Sequence, residues 1–122
     1  MREVRFGEGE RIFAEGDPSD CCYRVVSGRV EISLQMPGVM KRGRTKTIAV
    51  CGPGELVGEM SVIDAAPRSA TAVAAETTVC QAFSAEEILH LLENDPEEAL
   101  SYVRTLIRRI RNSNRRVLGP TG

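Results

Sequence analysis

The sequence predicts a mainly β fold, an all-β roll of the sandwich or barrel kind, followed by C-terminal helices. Three observations predict it. Through about residue 83, short apolar runs alternate with Gly, Pro, Asp and Ser clusters at intervals of about 8–12 residues, the spacing of successive strands and turns. No long helical pattern separates those runs, which argues against a βαβ fold. Beyond Ser84 the apolar period changes from two to the helical value.

The elements follow in order. Arg11 to Ala14 reads as a strand, ended by the breaker run Glu15-Gly16-Asp17-Pro18-Ser19-Asp20, which has turn chemistry at nearly every position. Cys21 to Val26 is a second apolar run, turned by Ser27-Gly28. Arg29 to Gln35 alternates strictly, with Val30, Ile32 and Leu34 on one face, as a half-buried strand does. Met36 to Arg44 carries Pro37, Gly38, Gly43 and the start of a basic cluster (Lys41, Arg42, Arg44, Lys46), and is expected to be a hairpin tip. Thr47 to Cys51 is a strand ended by Gly52-Pro53-Gly54, and Ala70 to Ala75 and Thr78 to Phe83 close the series.

Ser84-Ala85-Glu86-Glu87 places a hydroxyl at the N-cap and a carboxylate three residues on, a capping box that opens a short helix. Asp95-Pro96-Glu97-Glu98 opens the next, with Asp at the cap, Pro at the first helical position and acids in the first turn. Leu100, Val103, Ile107, Ile110, Asn114 and Val117 then repeat at alternating steps of three and four, a heptad seam with one polar member. Two readings stay open for it: a seam between two copies, or a helix docked on its own roll.

At 122 residues the chain is expected to form one domain, with a roll over about 1–83, a hinge helix over about 84–94 and a long helix over about 96–116. Apolar residues make up 42% and charged residues 27%, which excludes a disordered chain. Aromatics are 4% with no Trp, so the core must be built from Val, Ile, Leu and Ala. No apolar run approaches the ~20 residues of a membrane-spanning helix, and Met1-Arg2-Glu3-Val4-Arg5-Phe6 lacks the apolar stretch of a signal peptide. A cytoplasmic location is the expectation. The net charge of −1 identifies no partner, but it is unevenly spread. From Pro96 onward six arginines face two glutamates, for +4, and the residues before carry −5.

Cys21, Cys22, Cys51 and Cys80 have no Cys-x-x-Cys spacing, and adjacent strand residues point to opposite faces, so free thiols acting as small hydrophobes are expected, with no metal site. His90, the only histidine, falls in a helical pattern without a nucleophile beside it, so a hydrolytic or metal-dependent enzyme is not expected. Gly52-Pro53-Gly54-Glu55-Leu56-Val57-Gly58 departs from the dinucleotide fingerprint in spacing and puts Pro53 where an amide is needed. The next stretch carries more chemistry. A helical turn beginning near Gly58 would direct free amides outward as an anion site. Arg68 adds a guanidinium fork and Ser69 a hydroxyl donor, while Glu59 would accept from hydroxyls such as a sugar presents. Phosphate donors, a hydroxyl acceptor and an apolar wall describe a nucleotide site. An ordinary Glu–Arg pair on a surface loop is the competing reading.

Gly58-Glu59-Met60-Ser61 through Pro67-Arg68-Ser69-Ala70-Thr71 resembles the phosphate-binding cassette of cyclic-nucleotide-binding domains, the family of catabolite activators, protein kinase A regulatory subunits and gated potassium channels. Gly9-Glu10, Glu15-Gly16-Asp17, Tyr23 to Gly28, Gly52-x-Gly54 and Asp95-Pro96 extend the resemblance over nearly the whole chain. It implies an eight-stranded β-roll (a double-stranded β-helix or jelly roll) with a short cassette helix and two C-terminal α-helices. It implies that Glu59 accepts from the ribose 2′-hydroxyl, that Arg68 and Ser69 hold the cyclic phosphate, and that amides of Gly58, Glu59 and Met60 line the anion site. Ile32 and Ile48 would meet the purine, Arg109 would lie near Glu59, and Ser113 and Asn114 would read the base, Asn114 standing where the activator-like branch has Ser. The implied function is a non-enzymatic sensor of cyclic AMP, with cyclic GMP a further candidate, that signals through its C-terminal helices as a homodimer without cofactor. A ligand-free dimerisation scaffold and the effector-binding half of a transcription regulator are the alternatives. The residues after the long helix, Leu118-Gly119-Pro120-Thr121-Gly122, offer no winged helix-turn-helix, so DNA reading by this chain alone is not expected.

Overall fold

The computed structural model describes residues 1–35 and 45–118, with side chains through Asn112. The expected hairpin tip, with Lys41, Arg42 and Arg44, lies outside the described residues, as do the side chains of Ser113 and Asn114. The chain divides into two compact units, Met1–Ile88 and Leu89–Gly122.

The first unit contains eight strands: β1 (Arg2–Phe6), β2 (Arg11–Phe13), β3 (Cys21–Ser27), β4 (Val30–Gln35), β5 (Thr45–Cys51), β6 (Leu56–Val57), β7 (Thr71–Ala74) and β8 (Thr78–Ser84), with the short helix α1 (Glu59–Ile63) between β6 and β7. They form two antiparallel four-stranded sheets, in the orders β1-β8-β3-β6 and β2-β7-β4-β5. The core lies between them. Phe6, Val25, Val57 and Cys80 come from the first sheet and Val30, Cys51, Ala72 and Ala74 from the second, all buried in one cluster. Phe6 and Tyr23 meet edge to face at 5.7 Å, so two of the few aromatics are spent on the same core contact. Cys22, Cys51 and Cys80 are buried thiols outside any disulfide.

The strict alternation expected for 29–35 is corrected here. It holds from Val30 to Ile32 and then inverts: Ser33 is buried and Leu34 is exposed. The reason is a register shift. Ile32 pairs with Ala49 but Ser33 pairs with Thr47, leaving Ile48 as an extra residue on β5. Such a bulge bends β5 and increases the local twist of the ladder, and the inversion on β4 begins at that step.

The first turn of α2 (Ala85–Asn94) belongs to this unit. Ser84 and Glu87 make both reciprocal bonds of the capping box, Ser84 N–H donating to Glu87 Oε1 at 2.9 Å and Glu87 N–H to Ser84 Oγ at 3.1 Å.

In the second unit, α3 (Pro96–Leu118) is capped by Asp95, whose Oδ1 accepts from the amides of Glu97 and Glu98 at 3.1 and 3.2 Å. His90 lies on an exposed helix position beside Asn94. Leu100, Val103, Ile107 and Ile110 form an apolar stripe along α3, each between 45% and 59% exposed. Among the described residues no helix is long and apolar enough to cross a membrane.

Candidate functional site

The site is built where β6 runs into α1. Pairing of Tyr23 with Val57 and of Arg24 with Leu56 carries the chain along β3, so that Gly58 arrives beside the start of that strand. Gly58 has φ 78° and serves as the N-cap of α1. Its left-handed backbone turns the chain out of the sheet and into the helix, a conformation that costs an L-residue roughly 1–2 kcal/mol. The first amides of a helix have no acceptor within it. Glu59, in this first turn, is 1% exposed.

Arg68 returns from the far side of the cassette and is 4% exposed. Nη1 donates to the carbonyl of Gly58 at 2.9 Å and Nη2 to the carbonyl of Cys21 at 2.5 Å. The guanidinium carbon stands 4.1 Å from the centre of the Phe13 ring. Its Nε is buried and has no hydrogen-bond partner among the described residues. A buried donor left in that condition costs about 1–3 kcal/mol, which an acceptor placed there recovers. The main chain of Arg68 is clamped as well. Its amide donates to Asp17 O and its carbonyl accepts from Gly16 N–H, both at 2.8 Å. That turn is itself closed by Asp17, whose amide donates to Ala14 O and whose Oδ2 accepts from Ala14 N–H, each at 3.0 Å.

Ser19 ties α1 to the turn that follows it, its single hydroxyl proton shared between the carbonyls of Ser61, at 3.1 Å, and Ala66. Ser61 Oγ donates back to Gly58 O at 3.3 Å. The buried surroundings register on Cys22, whose thiol is pushed from 9.0 up to about 12, first by burial and then by the charges of Glu59 and Cys21, with Arg68 and Arg24 opposing. Both the carboxylate of Glu59 and the guanidinium of Arg68 therefore act on one buried strand position.

The structure brings Gly58, Glu59 and Arg68 together around the start of α1. Met60 is 54% exposed on that helix, and Ser69 is exposed next to Arg68. Ile32 and Ile48 are half-buried on the adjacent strands β4 and β5, with Ile48 at the bulge. Arg109 is half-buried on α3, within the second unit. The ordinary surface Glu–Arg pair is corrected, since both side chains are buried. Four participants escaped the sequence reading: Phe13, Ser19, and the main-chain carbonyls of Cys21 and Gly58. Only Ser19 left a signal, as part of the Asp17-Pro18-Ser19 turn.

A separate cavity of about 360 Å³ is lined by Arg2, Asp20, Cys21, Phe83, Ser84 and Glu87 among others and contains no cassette residue. Among the described residues no three His, Cys, Asp or Glu side chains are placed to hold a metal ion.

Comparisons with known proteins bear on the family and the fold. The family model described as a cyclic nucleotide-binding domain matches residues 3–95. The chain is 38% identical over 109 residues to the cyclic AMP receptor protein of Thermus thermophilus, which covers 89% of this chain and 49% of that one. It is 30% identical over 114 residues to the CRP-like cAMP-activated global transcriptional regulator of Mycobacterium tuberculosis, covering 93% and 49%. The crystal structure of Thermus thermophilus catabolite activator protein superposes with a TM-score of 0.79 at 36% identity, covering 95% of this chain and 53% of that one. The chain thus spans about half the length of the curated relatives it matches.

Proposed function

This chain belongs to the cyclic nucleotide-binding domain family, and we propose that it is a non-enzymatic sensor that binds cyclic AMP, with cyclic GMP the second candidate, and passes occupancy to its C-terminal helices. The observation that carries the reading is Arg68, buried beside the first turn of α1 with Nε–H unpartnered. A cyclic phosphodiester is a compact monoanion. It would accept from that Nε–H, from the hydroxyl and amide of Ser69, and from the amides of Gly58, Glu59 and Met60 at the start of α1. Glu59 would accept from the ribose 2′-hydroxyl, and Ile32 and Ile48 would meet the purine. Arg109 and Ser113 stay with this reading as ligand contacts. No catalytic residue, metal or cofactor is assigned; the nucleotide is the ligand. The exposed stripe of Leu100, Val103, Ile107 and Ile110 supports a homodimer seam along α3. A second reading is favoured by the greater length of the relatives, one of which is named a transcriptional regulator: this chain as the effector-binding half of such a regulator.

Titration calorimetry tests the proposal. The wild-type chain is expected to bind cyclic AMP, and to bind its 2′-deoxy analogue more weakly. Arg68→Ala removes one partner of a buried charge pair, for a loss of about 2–5 kcal/mol, or about 30-fold or more in affinity. Unchanged affinity in Arg68→Ala would refute the role of that residue, and no binding of either cyclic nucleotide by the wild type would leave the dimerisation scaffold as the surviving reading.

A further inference from the structure

We infer that Phe13 is the positioning residue of the site: its ring fixes the tilt at which Arg68 offers its Nε edge to the phosphate. The inference rests on the cyclic-nucleotide reading and adds to it the residue that orients the ligand arginine. A guanidinium is a rigid plane. Its two hydrogen bonds, to Gly58 O and Cys21 O, set its place and its rotation within that plane. They leave one motion free, a hinge about the line joining the two acceptors, which would swing Nε–H toward or away from the ligand. A flat ring under the guanidinium closes that hinge. Phe13 supplies it at 4.1 Å, inside the ~6 Å reach of a cation–π contact, and at a site where the cation is buried.

Phe13 is itself held and aimed. It packs against the core cluster, and β2 shifts register against β7 between Arg11 and Phe13, so a bulge directs this side chain. The ring also lies against the Cα of Gly58, where an added Cβ would come within 2.9 Å of it. Gly58 therefore borders both the ring and the guanidinium, and only a residue without a side chain fits beside the stacked pair.

Phe13→Leu and Phe13→Tyr, each alone and combined with Arg68→Gln, separate positioning from simple packing. Affinity for cyclic AMP is read by calorimetry, or by nuclear magnetic resonance titration where binding is weak. The Arg68 Nε–Hε resonance of the free protein reads the stack directly. Phe13→Leu is expected to weaken binding about tenfold, the scale of one desolvated cation–π contact. Phe13→Tyr, which keeps the ring, is expected to restore it, and in the Arg68→Gln background Phe13→Leu should change little. The Hε resonance, shielded over the ring, should move downfield in Phe13→Leu before any ligand is added. Equal losses with and without Arg68, or wild-type affinity in a folded Phe13→Leu chain, would overturn the inference while leaving nucleotide binding intact. Should Phe13→Leu fail to unfold cooperatively, Phe13→Met, closer in volume, takes its place under the same criteria. A wild-type chain that binds no cyclic nucleotide overturns the functional reading first, and this one with it.

Discussion

Two glycines with similar positive φ allow the crowding at the site to be measured separately from backbone strain. Gly54 has φ 89° and Gly58 has φ 78°, so alanine at either place carries the left-handed penalty of roughly 1–2 kcal/mol. Gly54 sits in the turn Gly52-Pro53-Gly54-Glu55, closed by Glu55 N–H donating to Gly52 O at 3.1 Å, and a Cβ on it meets nothing within 4 Å. A Cβ on Gly58 would lie 2.5 Å from Nη1 of Arg68 and 2.9 Å from the Phe13 ring. Neither neighbour yields easily, because the ring is packed in the core and the guanidinium is bound at both Nη atoms. Moving Nη1 away breaks its bond to Gly58 O, a hydrogen bond from a charged group worth about 1.5–3 kcal/mol. Gly54→Ala should therefore lose roughly 1–2 kcal/mol of stability and no affinity. Gly58→Ala should lose roughly 3–5 kcal/mol of stability and at least about tenfold in cyclic AMP affinity. Chemical unfolding monitored by circular dichroism, paired with calorimetry on the same samples, reads both quantities. Equal affinity in the two variants would refute the claim that Gly58 makes room for the ligand arginine.

Two other expectations test the fold and the assembly. Burial raises the thiols of Cys22 and Cys80 from 9.0 to about 12 and about 11. Unfolded thiols release their protons near pH 9 while the folded ones keep them, so their contribution is complete below pH 9. It is lost as pH rises toward 11 and 12, by about 1.4 kcal/mol per pH unit for each thiol. Urea unfolding from pH 8 to 10.5 should show that decline, shallower in Cys22→Ala, and a flat profile would contradict it. On α3, Ile107→Glu places a charge in the proposed seam of both copies. A loss of about 3 kcal/mol in dimerisation, roughly a hundredfold, is expected from the apolar area no longer buried. Sedimentation equilibrium that finds the same self-association in wild type and variant would count against the seam.

Chain punctuation was the most legible part of the fold. The Ser84/Glu87 box and the Asp95 cap are local patterns, each completed within three residues, and both form as read. That Gly58, Glu59 and Arg68 come together was legible for a related reason, since all three lie within one short stretch. Features that depend on a distant partner were not. β6 has two residues, too few to display a period, and exists because β3 pairs with it. β1 alternates with Val4 and Phe6 inward, but its strand character is expressed only against β8. The bulge at Ile48 is a property of the β4–β5 ladder and of neither strand alone. The cradle of Arg68 was hidden more deeply, because its two acceptors are main-chain carbonyls that any residue type could supply. Phe13 is separated from Arg68 by most of the roll's sequence and joins it through the β2–β7 pairing and the bonds of Gly16 and Asp17 to the Arg68 main chain.

The same cradle bears on how a sensor built on this site could signal. An arginine side chain carries about 2 kcal/mol of rotamer freedom, and in most binding sites that freedom is lost when the ligand arrives. Here the guanidinium is bound, stacked and buried by the protein's own groups, and its main chain is tied to the 14–17 turn. The ordering cost falls on folding, so an anion bound here would meet a donor already in place and the gain would appear as affinity. A group that sits alike in the free and bound protein, however, interacts alike with both states, and only differential interaction shifts a conformational equilibrium. On the proposed reading, Arg68 and its cradle would be an anchor. In such a sensor the switching energy would come from contacts the nucleotide makes with parts of the chain that are not already fixed, which would make the sugar and base side of the ligand, more than its phosphate, the place where occupancy becomes a signal.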